Sequence, residues 1–292
     1  LEKLDLQGTI EVGEITVKNL KSTDIKLTIF GKDGKIKIDP IIASLYQGSL
    51  DGAVELDTAT KKPVISIKKS LSSFMAGPFT ADLLGKEQVN GIAQFDIDMK
   101  STGLTPDTIM RNLNGKGSFR FNDGAIAGIN LGLLLRKAIA KINNQPAPAD
   151  EPLKTDFALL EGSFIAKDGI IENQDLGLMS PAFRVSGEGK ANLPEMSLDY
   201  LVIAAVAGTA EGQGGKGLDE LKDIPVPVRR KGPFSDIEPS IDTQKLYEML
   251  AKSKVEKETK KIEQKAKQKI EEKLGDKLDK KVTDKLKGLF GR

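Results

Sequence analysis

The chain has 292 residues and contains no histidine, no cysteine and no tryptophan; aromatic residues make up only 5% of it. Without cysteine there is no disulfide staple, no thiolate metal ligand and no thiol nucleophile. Without histidine there is no imidazole zinc site and no Ser-His-Asp or Cys-His machinery. An enzyme built from this alphabet would have to work with carboxylate, lysine or tyrosine groups. The absence of cysteine fits an oxidising compartment and equally a cytosolic protein. Long hydrophobic runs are missing too. The longest, Leu201 to Ala207, is far short of the ~20 residues that span a bilayer. The chain opens on Leu1 with no charged segment followed by an apolar one, so it reads as a fragment shorn of an N-terminal anchor.

What is present is glycine and alternation. Hydrophobic residues make up 39% and charged residues 29%, and 29 glycines punctuate the chain, a composition for one large β-rich domain with an appendage or for two domains. From Tyr46 to Leu56 the even positions carry Tyr46, Gly48, Leu50, Gly52, Val54 and Leu56 while the odd ones are mostly polar. The same period recurs in Leu27/Ile29, Phe95/Ile97/Met99, Phe119/Phe121, Phe183/Val185 and Leu198/Tyr200. Successive strand side chains point to opposite faces, so each set lines one side of a sheet. Asp33-Gly34, Asp123-Gly124 and Asp168-Gly169 read as hairpin turns. The segment from Gly117-Ser118-Phe119 to Asp123-Gly124 is echoed 45 residues later by Gly162-Ser163-Phe164 to Asp168-Gly169, which predicts a duplicated hairpin unit in a quasi-repetitive sheet. Short helices are expected at 71–84, at 106–113 and at 131–143, the last capped by Asn130 with Leu131, Leu134, Leu135, Ala138, Ile139 and Ile142 on one face.

The C-terminal segment changes period and charge. Residues 251–292 hold fifteen basic and eight acidic residues, a net +7, which leaves 29 basic and 34 acidic residues in the remainder. Two amphipathic helices are expected there, with Ile262, Ile270, Leu278, Val282, Leu286 and Phe290 as the candidate residues for membrane or partner contact. They could dock on an anionic bilayer or cap the end of the body; a solvated helix tethered to the acidic body is the plain alternative. A nucleic-acid role is disfavoured, because aromatic residues do not interleave with the lysines. The division expected is a β domain over 1–240, with a linker at about 144–152 and a glycine-rich loop at about 208–217, and a helical tail over 241–292.

Three motifs have spacings that suggest chemistry. Gly212-Gln213-Gly214-Gly215-Lys216-Gly217 satisfies G-x-G-x-x-G, but Arg229, Arg230 and Lys231 follow where a ribose-binding acid belongs, so a flexible loop is the better reading. Ser66 and Lys69 have S-x-x-K spacing, yet in an alternating strand residues three apart face opposite sides. Asp96 and Asp98 share a strand face opposite apolar neighbours and read as its solvated side. No metal site, cofactor or catalytic group is expected.

The stretch from Leu113 to Leu131, LNGKGSFRFNDGAIAGINL, resembles the C-terminal block of the AsmA family, with Asn130 replacing the usual acid. Phe183-Arg184-Val185-Ser186-Gly187-Glu188-Gly189 and Ile224-Pro225-Val226-Pro227-Val228 agree with two further blocks; Lys231-Gly232-Pro233 departs from the usual Gly-Thr. The resemblance covers most of 1–240. It implies a mainly β fold: a long, curved antiparallel sheet forming an open hydrophobic groove, with a few short helices and the amphipathic tail. It also implies a periplasmic protein anchored in the inner membrane by an N-terminal helix, related to bridge-like lipid-transfer proteins, which moves phospholipid in support of outer-membrane biogenesis and has no established active site in this region.

On that expectation Leu27, Ile29, Tyr46, Leu50, Phe95, Ile97, Phe119, Phe121, Phe183 and Leu198 are the candidate groove-lining residues; an ordinary sandwich core is the other reading of the same positions. A lipid groove, a non-enzymatic assembly factor for outer-membrane proteins that engages an envelope protein partner and, more distantly, an enzyme remain as classes of function.

Overall fold

The computed structural model describes residues 5–142, 144–207, 225–235, 240–242 and 244–249, with the single positions 251 and 264. The chain divides into two compact units, Leu1–Asp242 and Thr243–Arg292. In the first unit thirteen strands follow one another in a single antiparallel meander, each hydrogen-bonded to the next in chain order. They are β1 (Leu6–Val17), β2 (Leu20–Lys32), β3 (Lys35–Leu45), β4 (Gly48–Asp57), β5 (Val64–Met75), β6 (Val89–Thr102), β7 (Asn114–Ala127), β8 (Lys154–Lys167), β9 (Ile170–Met179), β10 (Phe183–Asn192), β11 (Ser197–Val206), β12 (Val226–Pro233) and β13 (Ser240–Ile241). Three helices interrupt the meander: α1 (Ala76–Leu84), α2 (Pro106–Arg111) and α3 (Leu131–Ile142). The first and last strands do not pair with each other, so the sheet is open. At ~4.8 Å per strand it extends roughly 58 Å in the hydrogen-bonding direction.

The turns follow local chemistry. Asp33 and Gly34 have φ of 49° and 76°, and Asp168 and Gly169 have 49° and 77°, the left-handed pair that matches the twist of a two-residue hairpin. Asp123-Gly124 does not make a turn. Asp123 has φ 49° but lies inside β7, which is paired with β6 on one side and β8 on the other, and the β6 register slips between Asn90 and Ile92. A left-handed residue flanked by partners on both sides is absorbed as a bulge. The two echoed segments therefore lie side by side, with Ser118 opposite Ser163, and diverge after six residues; they are not a duplicated hairpin.

The helix expected over 71–84 begins later. Leu71 to Met75 finish β5, bent at Ser73 with φ 55°, and α1 occupies only 76–84. Helix α2 starts on a reciprocal capping box between Thr105 and Thr108 with proline at its first turn. Helix α3 is capped as expected: Asn130 Oδ1 accepts from Leu133 N at 2.8 Å, and Thr155 Oγ1 accepts from Leu131 N at 3.1 Å. Leu131 and Leu135 are buried against Phe157, Leu160, Leu178, Phe183, Val185, Ala204 and Val226. The side chains at Ala138, Ile139 and Ile142 lie outside the described residues. A second cluster packs Phe79 of α1 against Phe74 and Ala93, with the Phe74 and Phe79 rings 5.2 Å apart.

Close backbone approach at Gly124 yields a stability prediction. A β-carbon there would collide with Asn90 O and come within 2.7 Å of Phe157 Cζ, whereas one at Gly8 would meet nothing within 4 Å. Gly124→Ala should lower the denaturant midpoint by the equivalent of about 1–3 kcal/mol, and Gly8→Ala should leave it nearly unchanged; chemical denaturation followed by circular dichroism compares the two.

Candidate functional site

Paired residues in an antiparallel ladder share a face, so the registers can be followed from strand to strand. Leu27 opposes Ile10 and Ile41; Ile29 opposes Ile38; Ile38 opposes Val54; Leu50 opposes Ala43 and Leu71. Leu71 opposes Phe95, Phe95 opposes Phe119, Phe119 opposes Gly162 and Phe121 opposes Leu160. Leu160 leads to Leu178, Leu178 to Val185, Val185 to Ala204 and Ala204 to Val226. One face of the sheet thus carries an apolar series that runs from strand to strand across it. Slips near Asp24, Pro40, Ser73, Gly91, Ser163 and Glu188 bend the ladder but leave the apolar set on the same side.

Nine of the ten candidate lining residues fall on this face: Leu27 and Ile29 on β2, Leu50 on β4, Phe95 and Ile97 on β6, Phe119 and Phe121 on β7, Phe183 on β10 and Leu198 on β11. Tyr46 stands in a turn and not on a strand, because its segment turns earlier than strict alternation implies, yet its ring packs on Phe79 of α1, centroids 5.6 Å apart, in the cluster that also holds Leu71 and Phe95. Tyr46 and Gln47 form the β3–β4 turn with φ of 47° and 66°, and Tyr46 Oη donates to Asp82 Oδ2 of α1 at 2.7 Å. Phe183 is 5% exposed inside the α3 cluster, so it belongs to that packed core and not to the open stretch. The other eight are half-buried. Phe95, Phe119, Phe121 and Phe164 form an aromatic belt across β6 to β8, with the Phe95–Phe164 and Phe119–Phe121 centroids each 6.1 Å apart.

The opposite face is polar and ion-paired. Lys35 meets Asp57 at 3.1 Å, Arg120 meets Glu161 at 2.6 Å, and Lys190 meets Glu172 at 3.3 Å. Arg229 makes a two-pronged contact with Asp199, both bonds 2.9 Å, and holds its carboxyl below the ordinary aspartate value. Asp96 and Asp98 lie here, opposite Ser70 and Lys68. Ser66 and Lys69 occupy opposite faces, which removes the S-x-x-K reading. Three depressions of about 800, 530 and 390 Å³ are lined mainly by polar-face residues such as Lys68, Asp98, Ser118 and Glu172. Among the described residues no second sheet covers the apolar face. Among the described residues no group of His, Cys, Asp or Glu could hold a metal.

Residues 1–176 match the AsmA family. The chain belongs to the AsmA family. It is 22% identical over 251 residues to Protein AsmA of Escherichia coli strain K12, a match covering 81% of this chain and 38% of that protein. The chain thus spans well under half the length of that AsmA relative. No solved structure matches. Among the described residues no helix is long and apolar enough to cross a membrane. The tail candidates Ile262, Ile270, Leu278, Val282, Leu286 and Phe290, and the glycine-rich loop, lie outside the described residues.

Sequence reading missed the polar interruptions of the AsmA-family apolar face. Lys69, Asn173, Tyr200 and Arg230 all stand on it. Strand parity could have found Lys69, which is two residues from Ile67 and from Leu71; Asn173 was hidden by the β9 bulge. Tyr200 Oη donates to Asn173 Oδ1, while Asn173 Nδ2 donates to Ser163 O at 2.6 Å and to Asp175 Oδ1 at 2.7 Å. Burial, reinforced by the charges of Asp175 and Glu188, pushes the Tyr200 hydroxyl up to about 12, so it remains a donor at neutral pH.

The Asp199–Arg229 contact supplies a pH test. A folded-state value below the unfolded one contributes stability above the ordinary aspartate value and loses it as pH falls through the folded value. Asp199→Asn should therefore weaken the protein at pH 7 but flatten the loss of stability below about pH 4, read as denaturant midpoints across an acid titration.

Proposed function

We propose that this AsmA-family chain carries the acyl chains of phospholipid along its apolar sheet face, as part of a periplasmic lipid-transfer path that serves the outer membrane. The observation that carries the reading is the continuity of the face: apolar side chains run from β1 to β13, packed under α1 and α3 at two places and otherwise half-buried or exposed, with no second sheet among the described residues to cover them. Leaving so much apolar surface open has a free-energy cost, at about 25 cal/mol per Å², and a surface of this extent marks a binding site. A sixteen-carbon chain crossing water exposes about 0.8 kcal/mol of unfavourable contact per CH₂, on the order of 13 kcal/mol. An apolar path removes most of that barrier, while the head group stays in water. No catalytic group takes part.

A second reading, a scaffold that binds an envelope protein, draws support from the edge of the sheet. Strand β1 leaves its outer backbone groups unpaired among the described residues and exposes Leu6, Ile10, Ile15 and Val17. Such an edge can accept a strand from a partner. The basic tail at 251–292 would hold either assembly to an anionic membrane surface.

Two experiments follow. Native mass spectrometry of the gently purified chain should find co-purifying phospholipid, and Phe95→Asp with Ile97→Asp should reduce retained lipid by about tenfold or more, since each buries a charge beside hydrocarbon; crosslinks in cells to protein only, with no bound lipid, would favour the scaffold. Liposome flotation should show weaker binding to anionic vesicles when 251–292 is removed, and equal flotation would reject membrane docking by the tail.

A further inference from the structure

The polar face of the sheet holds a depression that the lipid path does not use. It has a volume of about 800 Å³ and runs across β4 to β8. The ladders show how it is walled. Asp51, Ser70, Asp96, Ser118 and Ser163 oppose one another in turn and form one wall; two residues away on each strand, Ala53, Lys68, Asp98, Lys116 and Ile165 do the same and form the other. Between the walls lies the rung of Gly52, Lys69, Ile97, Gly117 and Phe164. The side chains of that rung leave by the apolar face, so only its backbone floors the trough. Five strands at ~4.8 Å make the trough roughly 19 Å long, and two residues of strand make it ~7 Å wide.

The charged groups of the trough do not engage one another. Lys68 faces Asp98, and Asp98 faces Lys116, on neighbouring strands. Among the described residues none of the three makes a hydrogen bond or an ion pair. Facing pairs elsewhere on the same side do close: Lys26 meets Glu11 at 2.8 Å, Lys35 meets Asp57 at 3.1 Å and Arg120 meets Glu161 at 2.6 Å. The side chains of Asp51, Ser70 and Ser118 are likewise without a partner among the described residues. Asp96 accepts from Gln94 Nε2 at 3.0 Å, Ser163 is tied to Asp175, and Asp39 at the edge of the trough is matched by Lys37 at 2.7 Å. Ammonium groups that only donate, carboxylates that only accept and hydroxyls that do both therefore alternate at strand spacing. Asp51, Asp96 and Asp98 against Lys68 and Lys116 leave little net charge, so the trough attracts neither a polyanion nor a polycation.

We infer that this trough binds a linear oligosaccharide of neutral sugars, on the face opposite the lipid path and independently of it. A sugar hydroxyl both donates and accepts. Two neighbouring hydroxyls can take a hydrogen bond from a lysine ammonium and give one to the carboxylate on the next strand, bridging groups that do not touch each other. One ring with its linkage advances by about one strand spacing, so a chain laid across the strands meets the same pattern over about four rings. The C–H faces of the rings need apolar support. Ala53 and Ile165, the latter 66% exposed, supply it at the two ends of one wall.

The test titrates the full chain with cellotetraose, maltotetraose and chitotetraose, and with the matching disaccharides, by isothermal titration calorimetry. At least one tetraose should bind, and tighter than its disaccharide by about tenfold or more, because the shorter ligand reaches only part of the trough. Asp98→Ala should weaken that tetraose by about tenfold or more, the worth of one charge-assisted contact. Lys68→Met with Lys116→Met should weaken it at least as much. All three positions are exposed, and an unchanged circular dichroism spectrum shows that each variant keeps the fold. Lys69→Met, whose side chain leaves by the other face, should bind as the wild type does. Absence of binding by all three tetraoses at millimolar concentration overturns the inference. So does binding that is unchanged in both trough variants, or that Lys69→Met weakens as much as they do, since the sugar then lies elsewhere. Tighter binding of inorganic triphosphate or of tetralysine than of any tetraose overturns the assignment to neutral sugars. Retained phospholipid should be the same in Asp98→Ala as in the wild type, which keeps these outcomes separate from those of the lipid path.

Discussion

The structure depends on keeping one parity of side chain on one side of a sheet through twelve successive pairings. A slip of a single residue in any ladder would turn that strand's apolar set out to water and its charges inward. The chain meets six irregularities without such an inversion. Where a ladder slips, an extra residue is accommodated as a bulge, as at Asp123 and Ser73, and the apolar set re-emerges on the same face. Bulges also bend and twist strands, so the correction of register and the departure from flatness come from the same residues.

From that parity follows the contrast between the two faces. On the polar side, ion pairs such as Arg229–Asp199 cross neighbouring strands and are individually weak because they stay close to water. On the apolar side, helix α3 and helix α1 each cover one region, burying Leu135 and packing Phe79 against Phe74. Between those clusters the aromatic belt and the flanking leucines and isoleucines remain half-exposed. A closed sandwich would have hidden them under a second sheet. Here a single meander keeps them reachable, which is the property that a path for hydrocarbon requires.

The polar row across the apolar face is the one systematic exception to the pattern. Asn173 and Tyr200 satisfy each other and tie the β9 bulge to Ser163, so they are anchored within the sheet. Lys69 has no such anchor.

Much of this was legible in the residue order. Period-two alternation identifies strands and their dry sides because side-chain direction in a strand is purely local, and so nine of the ten lining positions share a face. Asp-Gly pairs and Asn130 were equally readable as turn and cap formers, because their effects act within three or four residues. What residue order could not settle was the use each local preference would be put to. Asp123 and Asp168 have the same backbone tendency, yet one sits between two paired neighbours and becomes a bulge while the other reverses the chain. Tyr46 falls in a turn and joins the apolar side only through its packing on α1, and Phe183 lies on the right face but under α3. Those outcomes belong to tertiary structure, since they depend on strands and helices distant in sequence that compete for the same backbone groups and the same apolar surface.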